Sequence, residues 1–210
     1  MIPRNAPVFR STQQALHVAF LMGILPVTQK SNTQMLLERL MEEAGVAKVV
    51  QRDGTLNFAG LSPMEVRGQC AMVRGAVEHH CLPYERAAIV AWFSSADDTG
   101  GKSASDVAAH RQKVYAITAL HGLTQPRMTI DSVDVQRMIV WHVHARGWLR
   151  DRLTERAIAA ESSVSQSTVH RNVVVVSQTC SALRRRGMDR LEEMFRRDGL
   201  VDVEAAAADA

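Results

Sequence analysis

The chain has 210 residues, 46% hydrophobic but only 5% aromatic, with ten methionines and abundant alanine. That balance favours helices over a β-sandwich or barrel, and the length allows one substantial core or two small ones. A net charge of +3 is too small to make the whole chain a polycation, so the distribution of charge matters more than its sum. Cys70, Cys81 and Cys180 are an odd number without framework spacing, which suits a reducing cytosol rather than a disulfide scaffold. No apolar run is long enough to span a membrane, and the opening residues lack the charged-then-apolar pattern of a secretory signal. The expected location is therefore cytoplasmic, with no membrane partner.

In chain order, Ser11 caps a helix from Thr12 to Leu25, ended by Pro26. Its apolar residues Ala15, Val18, Ala19, Leu21, Met22 and Leu25 cover a broad face, which predicts burial. Ser31 or Asn32 caps a second helix through Glu43, with Met35, Leu36, Leu40 and Met41 inward and Gly45 beyond its end. Residues 46–61 read equally as a loop or as a small hairpin turning at Asp53-Gly54. Ser62-Pro63-Met64-Glu65 has a capping Ser, Pro at the first helical position and Glu at the third, and starts a helix running to about Glu78. A second Pro-started helix spans Pro83 to Phe93. Residues 95–103 carry Asp97-Asp98, Gly100-Gly101 and no large apolar side chain, so they read as a linker.

Beyond the linker the spacing predicts a helix from Ala104 to Leu120, a turn over Gly122 to Pro126, and a helix from Ser132 to Ala145 capped by Asp131 and stopped at Gly147. Val135, Met138, Ile139, Val143 and Trp148 form an apolar set able to roof the pair of helices next in the chain. The expected fold is all-α: a multi-helix body, residues 1–94, then the linker, then a C-terminal helical domain over 104–198. Residues 199–210, ending in Glu-Ala-Ala-Ala-Ala-Asp-Ala, are expected to be a flexible tail.

Within the C-terminal domain, residues 154–183 predict two helices meeting at a steep turn. Thr154 caps a short helix from Glu155 to Glu161; Ser162-Ser163-Val164 breaks it; Ser165 caps the next helix, which opens with Gln166-Ser167-Thr168. Ala159 and Ala160 are small enough to let the second helix approach, while Val164 and Val169 plug the gap. This is the pattern of a helix-turn-helix, whose second helix presents a polar, one-sided first turn to a DNA major groove. Val169, Val173, Val176, Cys180 and Leu183 recur at helical spacing, so the β-branched run Val173–Val176 reads as helix, with a strand as the alternative. Val174 and Val175 then face away from the stripe, towards the N-terminal domain, a second subunit or another protein. After Arg186-Gly187, Met188 to Phe195 reads as a separate short helix.

Charge agrees with this placement. Between Arg146 and Asp198 there are eleven Arg and seven acidic residues, a net of +4, which leaves −1 of the +3 total to the rest of the chain. All eleven cations are arginine, which suits bidentate and phosphate contacts. The candidate DNA-contacting residues are Arg152, Thr154, Ser165, Gln166, Ser167, Thr168, His170, Arg171 and Arg184, with Gln166 suited to adenine, Arg171 to guanine, and Arg184 to phosphate.

Other chemistry does not assemble. An unbroken helix would hold Cys70 and Cys81 about 16 Å apart, too far to share a metal with His79 and His80. His142 and His144, two apart on a helix, point to nearly opposite faces. Gly100-Gly101-Lys102-Ser103 lacks the first glycine of a phosphate loop, Ala96 standing in its place, and has no strand leading into it. No nucleophile elbow or defensible carboxylate pair is present. The expectation is a non-enzymatic protein with no metal and no cofactor.

The run Ile158-Ala159-Ala160 through Val164-Ser165-Gln166-Ser167-Thr168-Val169-His170-Arg171 resembles the DNA-binding unit of bacterial transcription regulators and of sigma-factor region 4, over about 20 of the 210 residues. It departs from that pattern at Ser163, where Gly is usual, and at Ser162, where a large apolar residue is common; a wider turn is expected. A C-terminal motif among Arg-rich helices is similar to the Q-type late antitermination proteins of bacteriophages and prophages. That resemblance implies binding to double-stranded DNA near a promoter, loading onto RNA polymerase, and read-through of terminators, in the bacterial cytosol or nucleoid. The alternatives are a homodimeric promoter-bound repressor or activator, and a DNA-packaging adaptor of the small-terminase kind.

Overall fold

The computed structural model describes residues 7–24, 61–94 and 104–201. These residues form eight α-helices, one 3-10 turn and no β-strand, so the fold is all-α as the composition predicted. The expected helix from Ser31 or Asn32 to Glu43, the hairpin or loop before Leu61, and the linker 95–103 lie outside the described residues.

Two compact units are present, one from Met1–Cys81 with Met188–Ala210, the other Leu82–Gly187. This differs from the expected division into 1–94 and 104–198. In the first unit, α1 (Thr12–Ile24) packs on α2 (Pro63–His80). Ser11 Oγ accepts from Gln14 N–H at 3.2 Å, and Ser62 and Glu65 form a complete capping box, so both starts follow from side chains beside the backbone they satisfy. Ala15, Val18, Ala19, Leu21 and Met22 of α1 are all buried, as their spacing predicted. Cys70 is buried in α2, and its thiol is pushed up to about 11 by desolvation, against the opposing pull of Arg74 and Arg67. Leu200 and Val201, which fall in the stretch expected to be a flexible tail, are buried, and Phe9 N–H donates to the Leu200 carbonyl at 3.1 Å; residues 202–210 lie outside the described residues.

The second unit contains α3 (Pro83–Phe93), α4 (Ala104–Thr124), the 3-10 turn Gln125–Arg127, α5 (Val133–His144), α6 (Gly147–Arg152), α7 (Glu155–Ser162) and α8 (Gln166–Arg197) as far as Gly187. Helix α3 belongs here because its alanines, Ala87, Ala88 and Ala91, join one core with Ala116, Ile117 and Leu120 of α4. Glycines expected to end helices do other work. Helix α4 runs through Gly122 to Thr124, whose buried hydroxyl donates to the Leu120 carbonyl at 2.8 Å. Helix α5 is capped by Ser132 rather than Asp131, and Gly147, at φ +51, starts α6. Gly187 lies inside the single 32-residue helix α8, not between two helices; a Cβ there would stand 2.8 Å from Ile89 Cδ1 and 3.2 Å from Glu85 Cβ, so its lack of a side chain admits α3.

Buried polar groups tie the helix ends together. Lys113, fully buried on α4, donates to the carbonyls of Ser94 at 2.9 Å and His144 at 3.1 Å, placing a cation on the C-terminal ends of α3 and α5 where the helix dipoles favour it. His121 Nε2 donates to Gln136 Oε1 at 3.1 Å, and Gln136 in turn donates to the Ile130 carbonyl. Arg146 and Arg184 both lie over the Trp92 ring, at 5.3 and 3.8 Å from its centroid. His144 packs edge-on to the same ring, and neither of its ring nitrogens has a hydrogen-bond partner. Among the described residues no helix is long and apolar enough to cross a membrane.

The buried imidazole generates a pH prediction. Desolvation first, then Lys113, Arg184 and Arg146, push His144 from 6.5 down to about 3. Between those values the unfolded chain binds a proton at this residue that the folded chain does not, so the site opposes folding increasingly as pH falls below about 6.5. The slope is at most about 1.4 kcal/mol per pH unit. Denaturant unfolding of His144→Leu at pH 7 and pH 4.5 should show a smaller loss of stability between the two than the wild type; an equal loss would contradict the assignment.

Candidate nucleic-acid interface

Helix α7 starts at Thr154, whose extended backbone lets its hydroxyl accept from Ala157 N–H at 3.1 Å. One turn later Ile158 is fully buried, and Ala159 packs half-buried against the core, but Ala160 is exposed and plays no part in the approach expected of it. Ser162 Oγ donates to the Ile158 carbonyl at 2.6 Å. Ser163 takes the left-handed conformation, φ 56° and ψ 21°, where the related pattern has Gly. The left-handed turn is thus made in spite of the side chain, at a cost of about 1 kcal/mol.

Three residues, Ser163 to Ser165, separate α7 from α8. Val164 fits half-buried against the core, and Ser165 Oγ accepts from Thr168 N–H at 3.2 Å, capping α8 as expected. The inward stripe of α8 then runs Val169, Val176, Cys180 and Leu183, all buried, with Val173 partly so; the valine run is helical. The Cys180 thiol is pushed up to about 11 by burial, with Arg184 opposing. Val175 is half-buried and Val174 exposed.

Asn172 was not foreseen. It stands on the inward stripe three residues after Val169 and four before Val176, only 2% exposed, and its amide is fully used. Its Oδ1 accepts from Thr129 N–H at 2.8 Å, and Nδ2 donates to Thr129 Oγ1 at 3.0 Å and to the Thr168 carbonyl at 2.8 Å. It fastens α8 to the segment leading into α5. A polar residue interrupting an apolar stripe at helical spacing was the available signal, and Lys113, in register with Ala116, Ile117 and Leu120 of α4, carried the same one.

Six of the nine predicted contact residues come together on the first two turns of α8. Ser165, Gln166, Ser167, His170 and Arg171 are exposed, and Thr168 is half-buried at the cap. Arg171 Nη2 donates to Thr168 Oγ1 at 3.2 Å, and His170 Nδ1 lies 3.1 Å from Glu155 Oε2 on α7. Thr154 is at the start of α7, its hydroxyl committed to the cap, and Arg152 is exposed two residues before it. Arg150, Arg156, Arg185, Arg186 and Arg190 are also exposed. Arg184 stands apart from these. It lies about 20 Å along α8 from Arg171 at ~1.5 Å per residue, and its half-buried guanidinium is stacked on Trp92 with its pKa lowered, chiefly by burial and then by Arg146.

Two substitutions in this unit should move stability in opposite directions. Asn172→Ala strands the Thr129 groups it satisfies and should cost about 2 kcal/mol, whereas Ser163→Gly relieves the left-handed strain and should gain about 0.5 kcal/mol. Denaturant melts measure both; no loss in the first, or a loss in the second, would contradict the geometry described. No protein-family model and no curated protein matches the chain.

Proposed function

We propose that α7 and α8 form a helix-turn-helix that binds duplex DNA, with the first two turns of α8 in the major groove, and that the protein is a transcription regulator rather than an enzyme. One observation carries this reading. Over residues 166–172 the side chains divide sharply: Gln166, Ser167, His170 and Arg171 are exposed, while Val169 and Asn172 are buried. A capped helix start with a one-sided polar face, fixed from behind by both an apolar and a hydrogen-bonded anchor, presents base-reading groups at low entropic cost. The exposed arginines on either side, Arg150, Arg152 and Arg156 before the turn and Arg185 and Arg186 after it, supply cations for phosphates.

Within that class, the sequence resemblance to Q-type antiterminators favours a phage or prophage regulator that acts with RNA polymerase in the host cytoplasm. A promoter-bound homodimer is the second reading, favoured by Val174, exposed on α8 just beyond Arg171 and open to a protein contact. Co-purification of the intact chain with RNA polymerase separates the two.

Binding to duplex DNA should weaken steeply with salt, as arginines displace counterions. Arg171→Ala should reduce affinity for a selected site by about 1–3 kcal/mol while changing affinity for random duplex far less. Arg184→Ala should instead lower the unfolding midpoint by removing the cation from Trp92. Titrations of both variants against selected and random duplexes, with parallel melts, check this; wild-type affinity of Arg171→Ala for the selected site would remove α8 as the reader.

A further inference from the structure

His170 and Glu155 meet across the turn between α7 and α8, and their geometry fixes more than a surface ion pair. His170 Nδ1 stands 3.1 and 3.2 Å from the two carboxylate oxygens of Glu155. A carboxylate only accepts, so the ring proton sits on Nδ1. The carboxylate belongs to the first turn of a capped helix, its side chain is 24% exposed, and His142 Nε2 lies 4.0 Å from it. His142 is fixed in turn by the Leu153 carbonyl, which accepts from its Nδ1 at 2.5 Å. The His170 side chain is 62% exposed, and the ring edge away from Glu155 carries Nε2.

With Nδ1 holding the proton, the neutral ring offers Nε2 as an acceptor. In the major groove the base-edge amines that can donate to it are N6 of adenine and N4 of cytosine; guanine and thymine present acceptors there. We infer that His170 is a specificity residue that accepts a hydrogen bond from the amine of one adenine or cytosine, and that Glu155 is the positioning residue that holds it in the accepting tautomer. The inference rests on the DNA-binding reading above and adds what that reading leaves open, namely the chemistry demanded of one base. It also gives Glu155 a use. A carboxylate beside a DNA-facing helix is otherwise unfavourable, and a partly exposed pair of this kind contributes little to stability.

The test is selection of duplexes from a random library by the full-length protein and by His170→Ala, Glu155→Ala and Glu155→Gln. The wild type should enrich a site with one position restricted to adenine or cytosine on the contacted strand. His170→Ala should relax that position about three- to tenfold, the worth of one net hydrogen bond, and leave the others unchanged. Glu155→Ala should relax the same position although His170 is intact. Glu155→Gln, whose amide oxygen still accepts from Nδ1, should restore the preference. A guanine or thymine preference at the position lost in His170→Ala would overturn the accepting tautomer. Full preference in Glu155→Ala, or no change in His170→Ala, would overturn the assignment altogether. Absence of any enrichment, wild type included, would instead overturn the DNA reading on which this rests.

Discussion

The burial of the inward stripe of α8 is the constraint on which the second unit depends. Val169, Val176, Cys180 and Leu183 enter one core with Ile158 of α7, Ile139 and Val140 of α5, and the alanines of α3. Each such aliphatic side chain removed from water is worth about 1.5–3 kcal/mol, against a total stability of about 5–15 kcal/mol for a domain of this kind. Because the stripe has helical period, burying it fixes the rotation of α8, and that rotation alone decides that Gln166, Ser167, His170 and Arg171 face outward. Val169 in the core and Arg171 in solvent are two results of one packing event.

Polar groups then make the arrangement specific. Apolar burial sets the rotation of a helix but tolerates sliding along its axis; Asn172, with partners on Thr129 and on the Thr168 carbonyl, does not. Lys113 does the same for the ends of α3 and α5. Buried polar groups of this type are costly unless hydrogen-bonded, and both are. His144 is the exception: it lies neutral among Lys113, Arg146 and Arg184 with its ring nitrogens unpartnered, and it makes the unit sensitive to acid.

What the sequence made legible were features whose causes are local. Pro83 to Phe93 was read to the residue and Ser62 to Glu65 as a helix start with a capping Ser, because proline, serine and glutamate act on backbone within one turn. The cap at Ser165 and the helical valine run were legible for the same reason, the latter once period was weighed above β-propensity. Failures came where distant partners decide. Gly122 and Gly187 read as breaks, yet helix continues through both, and at Gly187 the side chains of α3 press against the bare glycine. The stacking of Arg184 on Trp92, 92 residues earlier in the chain, is likewise a contact that no local rule could supply. Glu155 was legible as the first residue of the helix capped by Thr154, but not as the partner of His170.

The central claim, that α8 turns its first two turns to DNA while the stripe behind them stays fixed, is tested most directly by hydrogen–deuterium exchange of the intact protein with and without excess random duplex at low salt. Slowed exchange is expected in peptides covering residues 150–172, and unchanged exchange in those covering Pro83–Phe93 and Val133–His144. With DNA demonstrably bound, protection confined to other segments, and none over 150–172, would contradict it.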